Sequence, residues 1–275
     1  MPELPEVETV RRTLEPALCG ETIEDFIIYE PRLRWTLEPL SLNRWVKGKE
    51  ILNMARRGKY LIFVMEGGGA MLIHLGMTGV LSLGKRSLQH QTHDHVVFQL
   101  SSGAELVFND VRRFGSIDAF NHMEVEEHPR LKHLGPEPLE SQFDAAYLYA
   151  ISRGMKVNIK NFIMDARRVV GVGNIYAAEA LFRAGIHPKT PARRLGQARC
   201  VRLVEMIREI LADAIAQGGT TISDFRNGYG EAGYFGQSLL VYGREGEPCT
   251  KCGKAIRRIV QGGRSTFYCA GCQRG

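Results

Sequence analysis

The chain has 275 residues, 44% of them hydrophobic and 24% charged, which is ordinary for a globular protein long enough to hold two domains. No run of about 18 apolar residues occurs, and the acidic, proline-bearing N-terminus lacks the layout of a signal peptide; a cytoplasmic protein without a membrane span is expected. The formal charge of +6 is unevenly distributed: residues 1–150 carry 16 Lys+Arg against 21 Asp+Glu, a net −5, and residues 151–275 carry 20 against 9, a net +11. A basic C-terminal half points to a polyanion partner, most simply nucleic acid.

Residues 3–18 read as a helix. Leu4, Val7, Val10, Leu14 and Leu18 recur every three or four positions, acids load the early turns, and Gly20 follows the end. Its first residues, Pro2-Glu3-Leu4-Pro5-Glu6, fit a plain helix start. They also fit a reactive terminus. If Met1 is removed, Pro2 offers a secondary amine that can attack an aldehyde-like carbon and form an iminium. Such an α-amino group titrates near ~8 against ~10.4 for lysine, so it is roughly a hundred-fold richer in neutral form at pH 7. Glu3 places a carboxyl beside it.

Residues 22–120 read as strands, among them Lys59–Met65, Met71–Leu75, His95–Leu100, Glu105–Phe108 and Ser116–Phe120, broken by glycine-rich turns at 67–69, 84–86 and 101–103. Close spacing without helices predicts an antiparallel sandwich or barrel, with the first helix on its flank. Lys59 follows a glycine turn. His74-Leu75-Gly76-Met77 and Asp110-Val111-Arg112-Arg113-Phe114-Gly115 each expose an apolar residue in a turn, the second beside arginines. Met77 and Phe114 read as core residues, or as wedges entering a base stack with an arginine on the widowed base. His93-Asp94-His95 lacks a third metal ligand, so a phosphate contact or a satisfied strand histidine is expected.

The proline-rich stretch 129–139 reads as a linker. Helical periods follow at 144–152, 158–164, 174–184 and, most clearly, 198–216, where Val201, Val204, Ile207, Leu211, Ala214 and Ile215 form one stripe. Val170-Gly171-Val172-Gly173-Asn174 fails the dinucleotide pattern for want of a third glycine and a surrounding βαβ unit. It reads as a tight turn offering N–H groups to a phosphate, with Asn174 capping the next helix and Lys156 and Lys160 adding charge. Residues 218–236 form a long glycine-rich loop.

Four of the six cysteines lie in the last 27 residues. Cys249-x2-Cys252 and Cys269-x2-Cys272, 16 residues apart, fit a tetrahedral zinc held by four thiolates. A closed thiolate shell makes that ion structural; a redox pair is the alternative. The intervening Lys254–Tyr268 has the length of a β-hairpin, with Arg264 at its tip after Gly262-Gly263.

Taken together these motifs resemble, in order and along the whole chain, the bacterial formamidopyrimidine-DNA glycosylase family. The residues concerned are Pro2–Thr9, Arg57-Gly58-Lys59, His74–Met77, His93–His95, Asp110–Gly115, Gly171–Tyr176, Gly230–Gly233 and the four-cysteine finger. The resemblance implies an α+β architecture: an N-terminal helix plus antiparallel β-sandwich (2–128), the linker (129–139), a helix–two-turn–helix domain (140–237) and a zinc-finger hairpin (238–275). It implies a bifunctional glycosylase and abasic-site lyase of base excision repair, removing oxidised purines through an N-terminal proline Schiff base and nicking by β,δ-elimination.

Residue by residue, the family nucleophile matches Pro2, its acid Glu3 and its β-elimination lysine Lys59; Arg264 matches the arginine of phosphate binding and δ-elimination. The void-filling residues match Met77, Arg112 and Phe114. The phosphate contacts match His93, Arg112, Lys156, Asn174 and Arg264, although Arg153-Gly154-Met155 departs from the basic run of some relatives and makes Arg153 a rival to Lys156. The lesion-capping loop matches 218–236. One structural zinc ion, no organic cofactor, a monomer and double-stranded DNA containing an oxidised base are implied, in a cytoplasmic, nucleoid-associated enzyme. An endonuclease VIII-type pyrimidine glycosylase and a non-catalytic zinc-finger DNA-binding protein are the alternatives.

Overall fold

A computed structural model describes residues 2–85, 90–220 and 235–275. The stripe of Leu4, Val7, Val10, Leu14 and Leu18 folds as helix α1 (Leu4–Leu18), with each of these side chains at most 1% exposed. Burying one such side chain contributes roughly 1.5–3 kcal/mol, so this face holds the helix to its partner strands.

Eight antiparallel strands follow: β1 (Thr22–Ile28), β2 (Lys49–Arg57), β3 (Tyr60–Met65), β4 (Gly69–His74), β5 (Gly79–Lys85), β6 (Asp94–Leu100), β7 (Ala104–Asp110) and β8 (Ser116–Asn121). Their hydrogen-bonded order is β5-β7-β6-β1-β2-β3-β4-β8. The β1–β2 pairing is confined to Thr22↔Glu50 and Ile23↔Lys49, whereas β3 and β4 pair along their whole length. The sheet therefore turns a corner between β1 and β2, and its two four-stranded layers close on one core. Phe98 and Phe108 of one layer and Phe63 and Met71 of the other share that core with Val7, Val10 and Leu14 of α1, which packs on β2 and β3.

Two details depart from the sequence reading. A short helix, α2 (Pro39–Trp45), interrupts the region expected to be all strand. Pro39 opens it with a backbone angle suited to a first turn, and Leu42 fixes it to the core at 0% exposure. Seven residues are too few to print a helical period. Gly84 and Lys85, expected in a turn, instead continue β5.

The chain divides into two units. One holds Met1–Lys132 and the segment that begins at Gln217; the other holds His133–Ala216 and Phe235–Gly275. The second unit contains α3 (Ala145–Ser152), α4 (Ile159–Met164), α5 (Asn174–Arg183), α6 (Gln197–Ala216) and the hairpin β9 (Arg257–Gln261) and β10 (Arg264–Tyr268). α3 and α4 are capped by Asp144 and Asn158, whose side chains accept N–H bonds from Tyr147 and Asn161. The α6 stripe buries Leu203, Val204, Ile207, Ile210, Leu211 and Ala214; Val201, counted in the stripe, is 44% exposed. Ala178 and Phe182 of α5 pack with Val241, Ile256 and Phe267, so the cysteine hairpin sits on α5. Among the described residues no helix is long and apolar enough to cross a membrane.

The glycine-rich stretch 218–236 lies outside the described residues except for Gly218–Thr220 and Phe235–Gly236.

Candidate functional site

The first unit opens on Pro2, which is buried, and Glu3, which is 2% exposed. Glu3 is the N-cap of α1 and joins Glu6 in a capping box. The Glu6 carboxylate works in two directions. Its Oε2 accepts from the Glu3 N–H at 2.8 Å, and its Oε1 accepts from the Thr220 N–H at 2.8 Å. Gly219, at φ +81°, lies so close that a Cβ there would meet Glu6 Oε1 at 3.1 Å. One buried carboxylate thus fastens the N-terminal turn to the first residues of the 218–236 stretch. Sequence reading gave Glu6 no role beyond helix initiation, because its second partner is more than two hundred positions away.

One turn further on, Glu8 accepts from Arg11 Nη2 at 2.9 Å, Arg12 Nε at 2.8 Å and Arg56 Nε at 3.0 Å. Burial pushes its pKa up, but the Arg11 and Arg12 hydrogen bonds and the Arg11 and Arg56 charges outweigh that and hold it at about 2. Arg56 also donates to the Gly58 carbonyl at 3.2 Å. It therefore ties α1 to the turn between β2 and β3, where Gly58 (φ +58°) is followed by Lys59.

Next to Lys59, Tyr60 packs on His74 with ring centroids 4.7 Å apart. His74 Nδ1 accepts from the Gly76 N–H at 2.9 Å, which leaves the proton of the neutral ring on Nε2. Burial, then the charges of Lys59, Arg34 and Arg130, depress its pKa to about 3. His74 is thus a neutral donor beside a lysine. His74 belongs to the His74-Leu75-Gly76-Met77 turn, and nothing in its spacing distinguishes it.

The two turns expected to carry wedges meet each other. A Cβ on Gly76 (φ +64°) would lie 2.4 Å from the backbone of Phe114 and Gly115, so only glycine allows this approach. Asp110, fully buried, organises the pair: its Oδ1 accepts from Thr78 Oγ1 at 2.6 Å, and its Oδ2 accepts from the Gly115 N–H at 2.7 Å. Met77 and Phe114 emerge 37% and 43% exposed, and neither is a core residue. Arg112 lies over the Phe114 ring at 4.7 Å. Asp110 holds the histidine pair as well. Its carbonyl bonds His95 Nε2 at 2.7 Å, and its N–H donates to the His93 carbonyl at 3.1 Å. His95 is therefore a satisfied strand histidine, whereas His93 is exposed at φ +78°, a costly angle for a residue with a Cβ.

In the second unit, Asn174 departs from expectation. The N-cap of α5 is Gly173, and the Asn174 side chain makes no cap bond. Instead its Nδ2 donates to Ser265 O at 3.1 Å and to Tyr242 Oη at 3.2 Å, and its Oδ1 accepts from Lys160 Nζ. Lys160, expected to add charge at the phosphate turn, is fully buried and also donates to Thr266 Oγ1 at 2.7 Å and Ser265 O at 3.3 Å. The α4–α5 turn and strand β10 are thereby knit together one residue from Arg264. Gly262 and Gly263, at φ +55° and +72°, form the two-residue turn of the hairpin. Arg264 beside it is exposed and, among the described residues, in no ion pair.

Arg153 and Lys156 separate clearly. Arg153 donates to Tyr149 O at 3.1 Å, Ser152 Oγ at 2.8 Å and Leu195 O at 2.6 Å, and stacks on the Tyr149 ring at 4.1 Å. Lys156 is exposed and makes no hydrogen bond or ion pair among the described residues.

The four cysteines converge, with all Sγ atoms within 4.8 Å of one another. The Cys249–Cys272 and Cys252–Cys269 sulfurs are 3.8 Å and 3.4 Å apart. Sulfurs at ~2.3 Å from a tetrahedral ion are separated by about 3.8 Å, so the set fits a metal of that kind. Each knuckle is held by a local hydrogen bond: Cys249 N–H donates to the Lys254 carbonyl at 2.8 Å, and Cys269 N–H donates to the Gln273 side chain at Oε1, 2.8 Å away. Among the described residues this is the one cluster of potential metal ligands.

A β-sandwich headed by a buried Pro-Glu turn, and a helical unit with a four-cysteine hairpin, define the class of repair glycosylases with an N-terminal helix and a zinc finger. Comparison with known proteins agrees over the whole length. Residues 1–117 match the formamidopyrimidine-DNA glycosylase N-terminal domain, 134–226 its H2TH domain, and 246–275 the zinc finger found in FPG and IleRS. The chain is 48% identical over 274 residues to formamidopyrimidine-DNA glycosylase of Syntrophotalea carbinolica, with 100% of both chains covered. It is 48% identical over 284 residues to that of Cereibacter sphaeroides, again with 100% coverage of both. A Lactococcus lactis Fpg mutant, solved with a Fapy-dG-containing DNA, superposes with a TM-score of 0.93 at 35% identity, covering 100% of both chains. The Thermus thermophilus MutM (FPG) protein gives 0.89 at 40% identity, covering 99% of this chain and 98% of that one. The chain belongs to the formamidopyrimidine-DNA glycosylase family.

Proposed function

We propose that this protein is a DNA glycosylase of base excision repair that removes oxidised purines, 8-oxoguanine and formamidopyrimidines, from double-stranded DNA and then nicks the strand. The observation that carries the reading is the N-terminal turn. In a chain of this family, Pro2 and Glu3 are buried together at the head of α1 and closed by Glu6. The partial positive charge of the helix start disfavours a protonated amine there, which keeps a freed Pro2 nitrogen nucleophilic.

The chemistry follows from that amine. A base inside a duplex cannot be reached at C1′, so the lesion leaves the stack. With Met1 removed, neutral Pro2 attacks C1′; a C–N bond to the enzyme forms as the bond to the base breaks, and Glu3 exchanges protons with the sugar or the leaving base. The C1′–O4′ bond then opens as the Pro2 nitrogen lone pair forms the C=N bond and O4′ takes a proton from Glu3, and the resulting iminium acidifies the C2′ proton. Its loss, aided by Lys59, expels the 3′-phosphate, and a second elimination expels the 5′-phosphate. His74, through Nε2–H, is a donor for a phosphate beside Lys59. Met77, Arg112 and Phe114 fill the space the lesion leaves, as their joined, exposed turns support.

His93, Lys156 and Arg264 grip the backbone with their side chains, and Asn174, whose amide is taken by Ser265, Tyr242 and Lys160, joins them through its N–H at the start of α5. Lys156 is preferred over Arg153, whose guanidinium is committed to Tyr149, Ser152 and Leu195. The ion held by Cys249, Cys252, Cys269 and Cys272 is zinc, and its role is to fold the hairpin that presents Arg264. We take the acting species to be a monomer.

Excision assays on duplexes carrying 8-oxoguanine or thymine glycol test the substrate. Faster release of 8-oxoguanine is expected; faster release of thymine glycol would place the chain with the endonuclease VIII-type enzymes instead.

A further inference from the structure

The loop Arg32–Thr36 lies outside the site described above. A backbone bridge between Arg32 and Thr36 closes it, and Leu33 and Leu37 anchor it at 8% and 2% exposure. Between these anchors Arg34 and Trp35 are held out to solvent. The Arg34 guanidinium lies over the Trp35 ring, 4.6 Å from its centroid, and Arg130 lies over the same ring at 4.2 Å. Arg130 is balanced by Asp118 at 2.9 Å. Arg34 has no ion pair and no side-chain hydrogen bond among the described residues.

The loop is fastened to the edge that carries Lys59 and Phe114. Arg34 N–H donates to the Gly115 carbonyl at 3.0 Å. The next residue, Ser116, pairs with His74, and His74 pairs with Tyr60, the neighbour of Lys59. The charges of Arg34 and Arg130 reach both His74 and Tyr60. The positive edge of the first unit therefore runs on through this loop.

Stacking on an indole orients a guanidinium while leaving its N–H edge open, and that planar fork matches the oxygens of a phosphodiester. A cation crowded by like charges, with no acid of its own, gains most from a polyanion. We infer that Arg34, oriented by Trp35, is a further phosphate contact for duplex DNA, outside the set His93, Arg112, Lys156, Asn174 and Arg264. The inference rests on the DNA-repair reading above.

The test is the salt dependence of binding for the wild-type chain and for Arg34→Gln, on an undamaged duplex and on one carrying 8-oxoguanine. Loss of one phosphate contact makes the slope of log K against log [KCl] shallower by about 0.9. Affinity should fall by the same factor on both duplexes, because a phosphate contact carries no base information. Arg34→Lys should restore the slope but only part of the affinity, since a point charge lacks the fork. Parallel salt lines for wild type and Arg34→Gln, with equal affinities, would overturn the contact while leaving the repair function standing. A wild-type chain with no salt-dependent DNA binding would overturn both.

Discussion

Glu6, Glu8 and Lys160 show how single buried charges organise this protein. Each ties backbone distant in sequence, and each carries a measurable consequence. Glu8 has its pKa held at about 2 by arginines, against an ordinary 4.5. A depressed carboxylate contributes stability that is present above its unfolded pKa and lost as pH falls through the folded one. The first unit should therefore lose up to about 3 kcal/mol between pH ~4.5 and ~2 on account of this residue. Glu8→Gln should lower stability at pH 7 and flatten the acid limb of a urea-denaturation series; an unchanged acid limb would show that the arginines do not hold Glu8 as described.

Lys160 donates to Asn174, Thr266 and Ser265 from a fully buried position. If it fixes Asn174 and the start of α5 for DNA, Lys160→Met and Asn174→Ala should each weaken DNA binding. Their double mutant should then fall short of the sum by about 0.5–3 kcal/mol, as residues in one hydrogen-bond network do. Strict additivity of the binding losses would count against the linkage.

At the scale of elements, the hairpin β9–β10 depends on chemistry outside its own strands. Five residue pairs and a glycine turn do not make a stable ribbon alone in water. The cysteine knuckles and the packing of Phe182 and Phe267 provide the remaining support. Cys252→Ala, or chelation of the ion, should release about one zinc per chain and unfold the hairpin, with DNA affinity lost and the β-sandwich melt unchanged. Colorimetric zinc titration beside thermal unfolding checks this; wild-type DNA affinity in the zinc-free chain would show the finger to be dispensable. The cysteine knuckles, the α1 stripe and the paired glycines of the hairpin were legible in the sequence because each is a local pattern with one physical cause. Helix α2 was not, since seven residues give no period. Asn174 was read as a cap because that is its commonest local use; the partners that claim it instead, Lys160 and Ser265, arrive from other elements.

For the whole molecule, Pro2 and Glu3 were legible as a candidate reactive turn, but their surroundings were not. Pro2 and Glu3 taken alone are an adequate helix start, and the resemblance along the chain gave them a chemical meaning. The Glu6 contact to Thr220, the Asp110 hub and the neutral tautomer of His74 are long-range or conformational facts that no spacing records. They explain how a fold can hold the Pro2-Glu3 turn and two exposed turns in fixed places.

The central claim is that the amine of Pro2 becomes covalently bonded to the sugar of a damaged nucleotide. Borohydride reduction during reaction with an 8-oxoguanine duplex, followed by mass mapping of the trapped peptide, tests it most directly. The account predicts a stable protein–DNA adduct on a Met1-free N-terminus at Pro2. A chain that releases 8-oxoguanine with no trapped adduct, or with the adduct on a lysine alone, would contradict it.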